Sequence, residues 1–382
     1  LMPWSGTARN LPGEGGFLFL FVALFWIPTL AGSLLSALLA PGARHRTASR
    51  PGFAILSGLR LAFETPVCSC GALPVYEDLA GHGGSLRRGL SFLLAAPVLQ
   101  LENLILAAVL LGPRFALLWL LADLLVAGGL AVFLSRKGTL LAGAARLDGF
   151  DSGHAPSEAG PRAGFLRARF AGFSDRIQHA TAWLLAGLVL LLLASAAGLA
   201  PVSTAPGESP LLLVLLVSLL ALPWTLDPKA LLPLAWFLSG APAGAILALL
   251  LIGPLTGRAA RRTLARLHGA RFSATLTALL FVTAAGLGWL LDPILALPKS
   301  PPAAEFLAFL EPLRSQTLFL SLFLLPALYA LFRCGPRGLL AQVLPAREHE
   351  HAHHPGEPHE HTGAQRVQID LAGEPPSSTR EP

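Results

Sequence analysis

Apolar residues in this chain gather in long runs, of which 184–193 and 211–222 are among the purest. Several windows reach the roughly 20 apolar residues that one bilayer crossing needs. The pattern predicts segments at 16–40, 51–80, 88–111, 115–135, 179–200, 210–239, 242–257, 272–291 and 314–333. The first run is longer than a signal-peptide core and lacks a clear cleavage site, so it reads as a span.

Two of these segments are interrupted by polar clusters that contain proline. The first holds Glu64, Pro66, Cys68, Cys70, Gly71 and Pro74; the second holds Pro223, Asp227, Pro228, Lys229 and Pro233. Proline removes a backbone donor and breaks a helix, which lipid tolerates only where protein or a water cavity supplies partners. The two segments also read as copies. Pro97 closes the run that begins at Ser91, and Pro254 closes the one that begins at Ala248. Upstream, Pro74 matches Pro233 with a two-residue difference in the intervening loop, which aligns Cys68 with Asp227 and Cys70 with Lys229.

Charge then changes the picture. Charged residues make up 13% of the chain, against roughly 25% in a soluble domain. An ordinary soluble globular protein is thereby excluded. The net charge of +6 does not point to nucleic acid, because the arginines sit in short loops beside apolar runs, as on the cytoplasmic face of a membrane protein. Basic stretches at 42–50, Arg87-Arg88, 136–178, 258–271 and after Arg333 fit the positive-inside rule if 51–80 and 210–239 are re-entrant. Kinked spanning helices are the alternative. The expected fold is an all-α polytopic membrane protein of about seven spans plus two re-entrant or broken helices, arranged as inverted repeats. Residues 1–135 form the first repeat, 136–178 a basic cytoplasmic linker, 179–335 the second repeat with an extra span, and 336–382 a polar cytoplasmic tail.

Paired broken helices at corresponding positions point to a midplane transport site. In an extended segment or tight turn, Cys68 and Cys70 share a face, and thiolate selects copper(I), zinc or trivalent arsenic. Two cysteines packing a helix break is the plainer alternative. Ionisable residues inside spans cost about 2.5–3.5 kcal/mol each on insertion scales, so each is a functional candidate. Asp227 and Lys229 are candidates for the substrate site or for an internal ion pair. Glu64, Glu102 and Asp123 are candidates for coupling. In the tail, His349, His351, His353, His354, His359 and His361 lie within thirteen residues, a density that binds zinc or copper loosely or simply stays solvated. Three cysteines give no disulfide framework. There is no phosphate-binding G-x-x-x-x-G-K-[ST] loop and no G-x-S-x-G. An enzyme is not expected, nor is a cofactor.

The string Thr65-Pro66-Val67-Cys68-Ser69-Cys70-Gly71-Ala72-Leu73-Pro74 resembles the signature of a large family of predicted bacterial permeases. That family includes the organoarsenical efflux permease and the copper/zinc efflux permeases. Gly89 through Pro97 is similar to its second motif, and Gly240 through Pro254 to its second-half motif. The resemblance covers about residues 16–335. It implies a secondary efflux permease of the bacterial inner membrane whose motif cysteines, here Cys68 and Cys70, bind a metal or metalloid ion. The chain departs from the family at Val98-Leu99-Gln100-Leu101-Glu102-Asn103, where relatives usually carry small polar residues. Two rival readings stay open: a membrane thiol-redox or metal-relay protein, and a permease for an organic substrate. The partners expected are the ion and the lipid bilayer, with no nucleic acid; the oligomeric state is open.

Overall fold

The computed structural model describes residues 22–39, 53–65, 67, 69–81, 85–141, 165–196, 210–222, 226–238, 241–254, 256–295 and 317–343. Every described element is helical. A π-helical turn at Val22–Trp26 leads into α1 (Ile27–Leu39). There follow α2 (Ala54–Glu64), α3 (Ser69–Gly81), α4 (Leu86–Ala95), α5 (Leu101–Leu111) and α6 (Pro113–Leu141). The second half holds α7 (Phe165–Ala196), α8 (Pro210–Ala221), α9 (Pro228–Phe237), α10 (Ala243–Ile252), α11 (Arg258–His268), α12 (Ala270–Leu291) and α13 (Thr317–Val343). Helices α6 and α7 both reach into the 136–178 stretch expected as a linker. The tail histidines fall outside the described residues.

Residues Pro113–Arg136 of α6 and all of α12 are long and apolar enough to cross a bilayer. At 1.5 Å per residue they extend about 36 and 33 Å, against a hydrocarbon core of about 30 Å. Each turns one face inward and one outward. On α6, Phe115, Trp119, Ala122 and Val126 are buried, whereas Leu117, Leu121 and Leu125 are more than half exposed at four-residue intervals. A leucine stripe of that kind suits a lipid solvent. The chain is a helical membrane protein.

Several of the remaining helices are short because the sequence stops them. Ser85 caps α4 by accepting from Arg88 N, and Pro97 ends it just beyond Ala96. Asp227 caps α9 with Pro228 in the first turn, where the absent N–H is no loss. Asp292, just past α12, accepts a 2.8 Å bond from Gly244 N at the start of α10.

Corresponding elements recur at one interval. Pro97 and Pro254, the starts of α4 and α10, and Gly112 and Gly269 are each 157 residues apart (254 − 97, 243 − 86, 269 − 112). The two glycines share a conformation, φ 100 and ψ 151 at Gly112 and φ 91 and ψ 153 at Gly269. That region is open essentially to glycine alone. Packing follows the same correspondence: α2 lies on α4 as α8 lies on α10, and α4 on α6 as α10 on α12. Across the halves, α9 touches α5 and α3 touches α11.

Candidate functional site

The second interrupted segment meets the start of α5 at a buried charge cluster. Asp227 Oδ1 accepts a 3.0 Å bond from Lys229 N in capping α9. The Lys229 side chain then folds back, so that Nζ lies 3.5 Å from the same oxygen. Its closer partners come from the first half: Glu102 Oε1 at 2.8 Å and Gln100 Oε1 at 2.7 Å. Lys229 is 1% exposed, Asp227 0% and Glu102 4%. An ammonium buried that deeply is tolerable only when paired and hydrogen-bonded.

Gln100 carries the cluster on to the cysteine motif, since its Nε2 donates to the carbonyl of Val67, the residue before Cys68. The second half has a parallel contact: Leu226, the residue before Asp227, donates its N–H to Gly253 O at 3.3 Å. Each interruption is thus tied to the break that follows it, once by a side chain and once by backbone. Asn103 Nδ2 donates to Pro97 O at 2.6 Å, satisfying a carbonyl that the proline break releases. Cys68 itself and the side chain of Cys70 lie outside the described residues; Cys70 is the second residue of α3.

Two further helices complete the surround. Ser33 of α1 donates to Glu102 Oε2 at 2.8 Å. The close approach depends on Gly32, where a Cβ would sit 2.2 Å from Glu102 Cα. From α7, Arg176 donates to Ser36 Oγ and lies within electrostatic reach of Glu102. One turn on, His179 Nε2 stands 3.8 Å from Asp227 Oδ2. Gly187 lets α7 sit against the α9 backbone, since a Cβ there would be 3.0 Å from Ala230 Cα.

The other expected coupling residues stand elsewhere. Glu64 forms an ion pair with Arg60 one turn earlier on α2. Asp123 is buried midway along α6, and its Oδ2 has no hydrogen-bond partner among the described residues. Away from the cluster, Glu77 pairs with Arg266, and Tyr76 Oη lies 2.7 Å from His268 Nε2, joining α3 to α11. Cys334 donates to Gln178 Oε1 at 2.8 Å. No group of three or more His, Cys, Asp or Glu is placed to hold a metal ion among the described residues.

Sequence reasoning did not single out Ser33, Arg176 or His179. The signal available for the last two was a pair of cationic residues three apart, just before an apolar run.

A family described as predicted permease (ArsP_1) matches residues 29–292, which takes in both interruptions and every helix of the charge cluster. The chain belongs to that family. No curated protein and no solved structure matches it. Membership makes a transporter the reading for this permease, in line with the resemblance carried by its cysteine motif.

Proposed function

We propose that this permease is a secondary transporter that exports a thiophilic metal or metalloid through Cys68 and Cys70, with Asp227 and Lys229 facing them and Glu102 compensating charge. The observation that carries the reading is the Val67–Gln100–Lys229 relay, which connects the residue before Cys68 to the buried ammonium of the opposite half.

The repeats are inverted in this reading, with 1–135 and 179–335 as the two copies. The constant 157-residue interval and the matched glycines support it (254 − 97; 269 − 112). Alternating access follows from rocking one copy against the other. The permease sits in the bacterial inner membrane with its C-terminus in the cytoplasm, where the histidine-rich tail gathers ions.

The test is intracellular metal, measured by mass spectrometry in an efflux-deficient bacterial host expressing the permease or its Cys68→Ser variant. Cells are challenged in turn with arsenite, a methylated trivalent arsenical, copper and zinc. Lower accumulation of one species, lost in a variant that still reaches the membrane, supports the reading. No difference across the panel overturns it.

A further inference from the structure

The charge cluster contains two members that the cargo reading does not use, Arg176 and His179. Arg176, Glu102, Lys229, Asp227 and His179 follow one another around the cluster, with the first and last one turn apart on α7. Asp227 is asymmetric within it. Its Oδ1 is held by Lys229, whereas Oδ2 is buried without a hydrogen-bond partner among the described residues and faces His179 Nε2 at 3.8 Å. The His179 side chain is 21% exposed and that of Asp227 0%. The imidazole is therefore the more accessible partner of the pair.

We propose that the coupling proton is held between His179 and Asp227, and that this proton and a cationic cargo exclude one another at the cluster. The proposal rests on the transport reading above and gives it a coupling site. With His179 neutral, the two carboxylates balance Arg176 and Lys229. One added proton leaves a single positive charge in a low-dielectric interior, where uncompensated charge is costly. A cationic cargo adds charge of the same sign, so occupancy by one disfavours the other, and the cycle is an exchange. A neutral cargo would meet no such exclusion. Of the charged groups around it, Asp227 of the α9 cap lies against His179; Lys229 and, through it, Glu102 of α5 lie behind Asp227, and Arg176 stands one turn earlier on α7. Of the other helices packed on α7, α1 contributes Ser36 to Arg176 and α13 contributes Cys334 to Gln178.

Two measurements test it on the full chain. In proteoliposomes, exchange of zinc and of a methylated trivalent arsenical is followed across about pH 5 to 8, the range in which histidine changes charge. Wild type should show a rate that bends with pH for zinc, and His179→Gln a flat profile whatever its absolute rate. A His179→Gln profile with the wild-type shape overturns the proposal. The second measurement needs no cargo. Trp183 lies 6.1 Å from the His179 ring between centroids, and an imidazolium quenches indole emission. The expected step in emission with pH is lost in Trp183→Phe and moves at least about one pH unit lower in Asp227→Asn, where the carboxylate that favours the charged ring is gone. A step unmoved by Asp227→Asn overturns the pair. If wild type exchanges neither probe, the cargo reading fails and the emission titration alone decides the pair.

Discussion

Lys229 Nζ lies 2.8 Å from Glu102 Oε1, with both side chains almost wholly buried. The contact crosses between the two halves of the chain and joins the first turn of α9 to the first turn of α5, just beyond the Pro97 break. Removing one partner leaves the other charge uncompensated, a loss of about 3–5 kcal/mol. Lys229→Met and Glu102→Gln should each lower the thermal stability of the purified permease sharply. The double variant should recover much of the loss, and a thermal-shift double-mutant cycle would measure the coupling. Additive losses would mean that the two groups do not interact.

Gln100 serves both interruptions at once. Gln100→Ala leaves the Val67 carbonyl without its donor and takes one acceptor from Lys229, costs of about 1–3 kcal/mol each when buried. The segment around Cys68 should loosen. In a background where Cys70 and Cys334 are serine, a maleimide should label Cys68 several-fold faster in Gln100→Ala than in the parent. Equal rates would argue that Gln100 does not hold this segment.

Glycines divide sharply by position. A Cβ on Gly244 would stand 1.9 Å from Gly288 O, a backbone atom that cannot step aside, whereas Gly129 and Gly286 have nothing within 4 Å. Gly244→Ala should cost about 1–3 kcal/mol or more through overpacking. Gly129→Ala should be neutral or stabilise by up to about 1 kcal/mol, the helix-propensity gain. Gly112→Ala and Gly269→Ala should cost similar amounts, about 1–3 kcal/mol, because both ask alanine to adopt glycine's backbone region. Thermal-shift measurements on the four variants would check the order.

His268 lies in the arginine-rich α11, outside the two long apolar spans, beside Tyr76 and Phe272. Burial holds its ring below the usual histidine range. The folded state therefore favours the neutral imidazole. Its contribution is full above about pH 6.5 and is lost as pH falls through the lower folded value. Arg266, paired with Glu77 nearby, adds a positive charge that a protonated ring would meet. Acidification to about pH 5 should speed proteolysis between α3 and α11 in wild type. His268→Gln should remove that acceleration, and an unchanged pH response would rule the ring out as its source.

Much of the architecture was legible in the sequence because membrane helices announce themselves through apolar runs and prolines. The two interruptions and the closing prolines Pro97 and Pro254 needed no partner to be visible. Glu102, Asp227 and Lys229 stood out because a charge in an apolar run is costly wherever it points. The same logic singled out Glu64, but cost along the sequence does not say which face a residue occupies, and Glu64 found a local partner in Arg60. His179 and Arg176 lie where α7 is still polar, and a cationic pair at the edge of an apolar run reads there as an ordinary loop charge. Only the packing of α7 against α9 and α1 brings them to the cluster. Gln100 was visible as a departure from the family pattern, and its acceptor on Val67 was not, because backbone carbonyls leave no trace in residue identities.

Helices α5 and α11 have equal lengths and each leads into a glycine of the same conformation, yet α5 has no arginine and α11 has four. Membrane insertion responds to that difference and is blind to the shared geometry, since lysine and arginine set which side a segment keeps. On the inverted-repeat reading proposed above, the second copy is seated upside down by the charge of one short helix, with no residue added or removed between the break and the next span. The arginines of α11 are, on that reading, its topology signal.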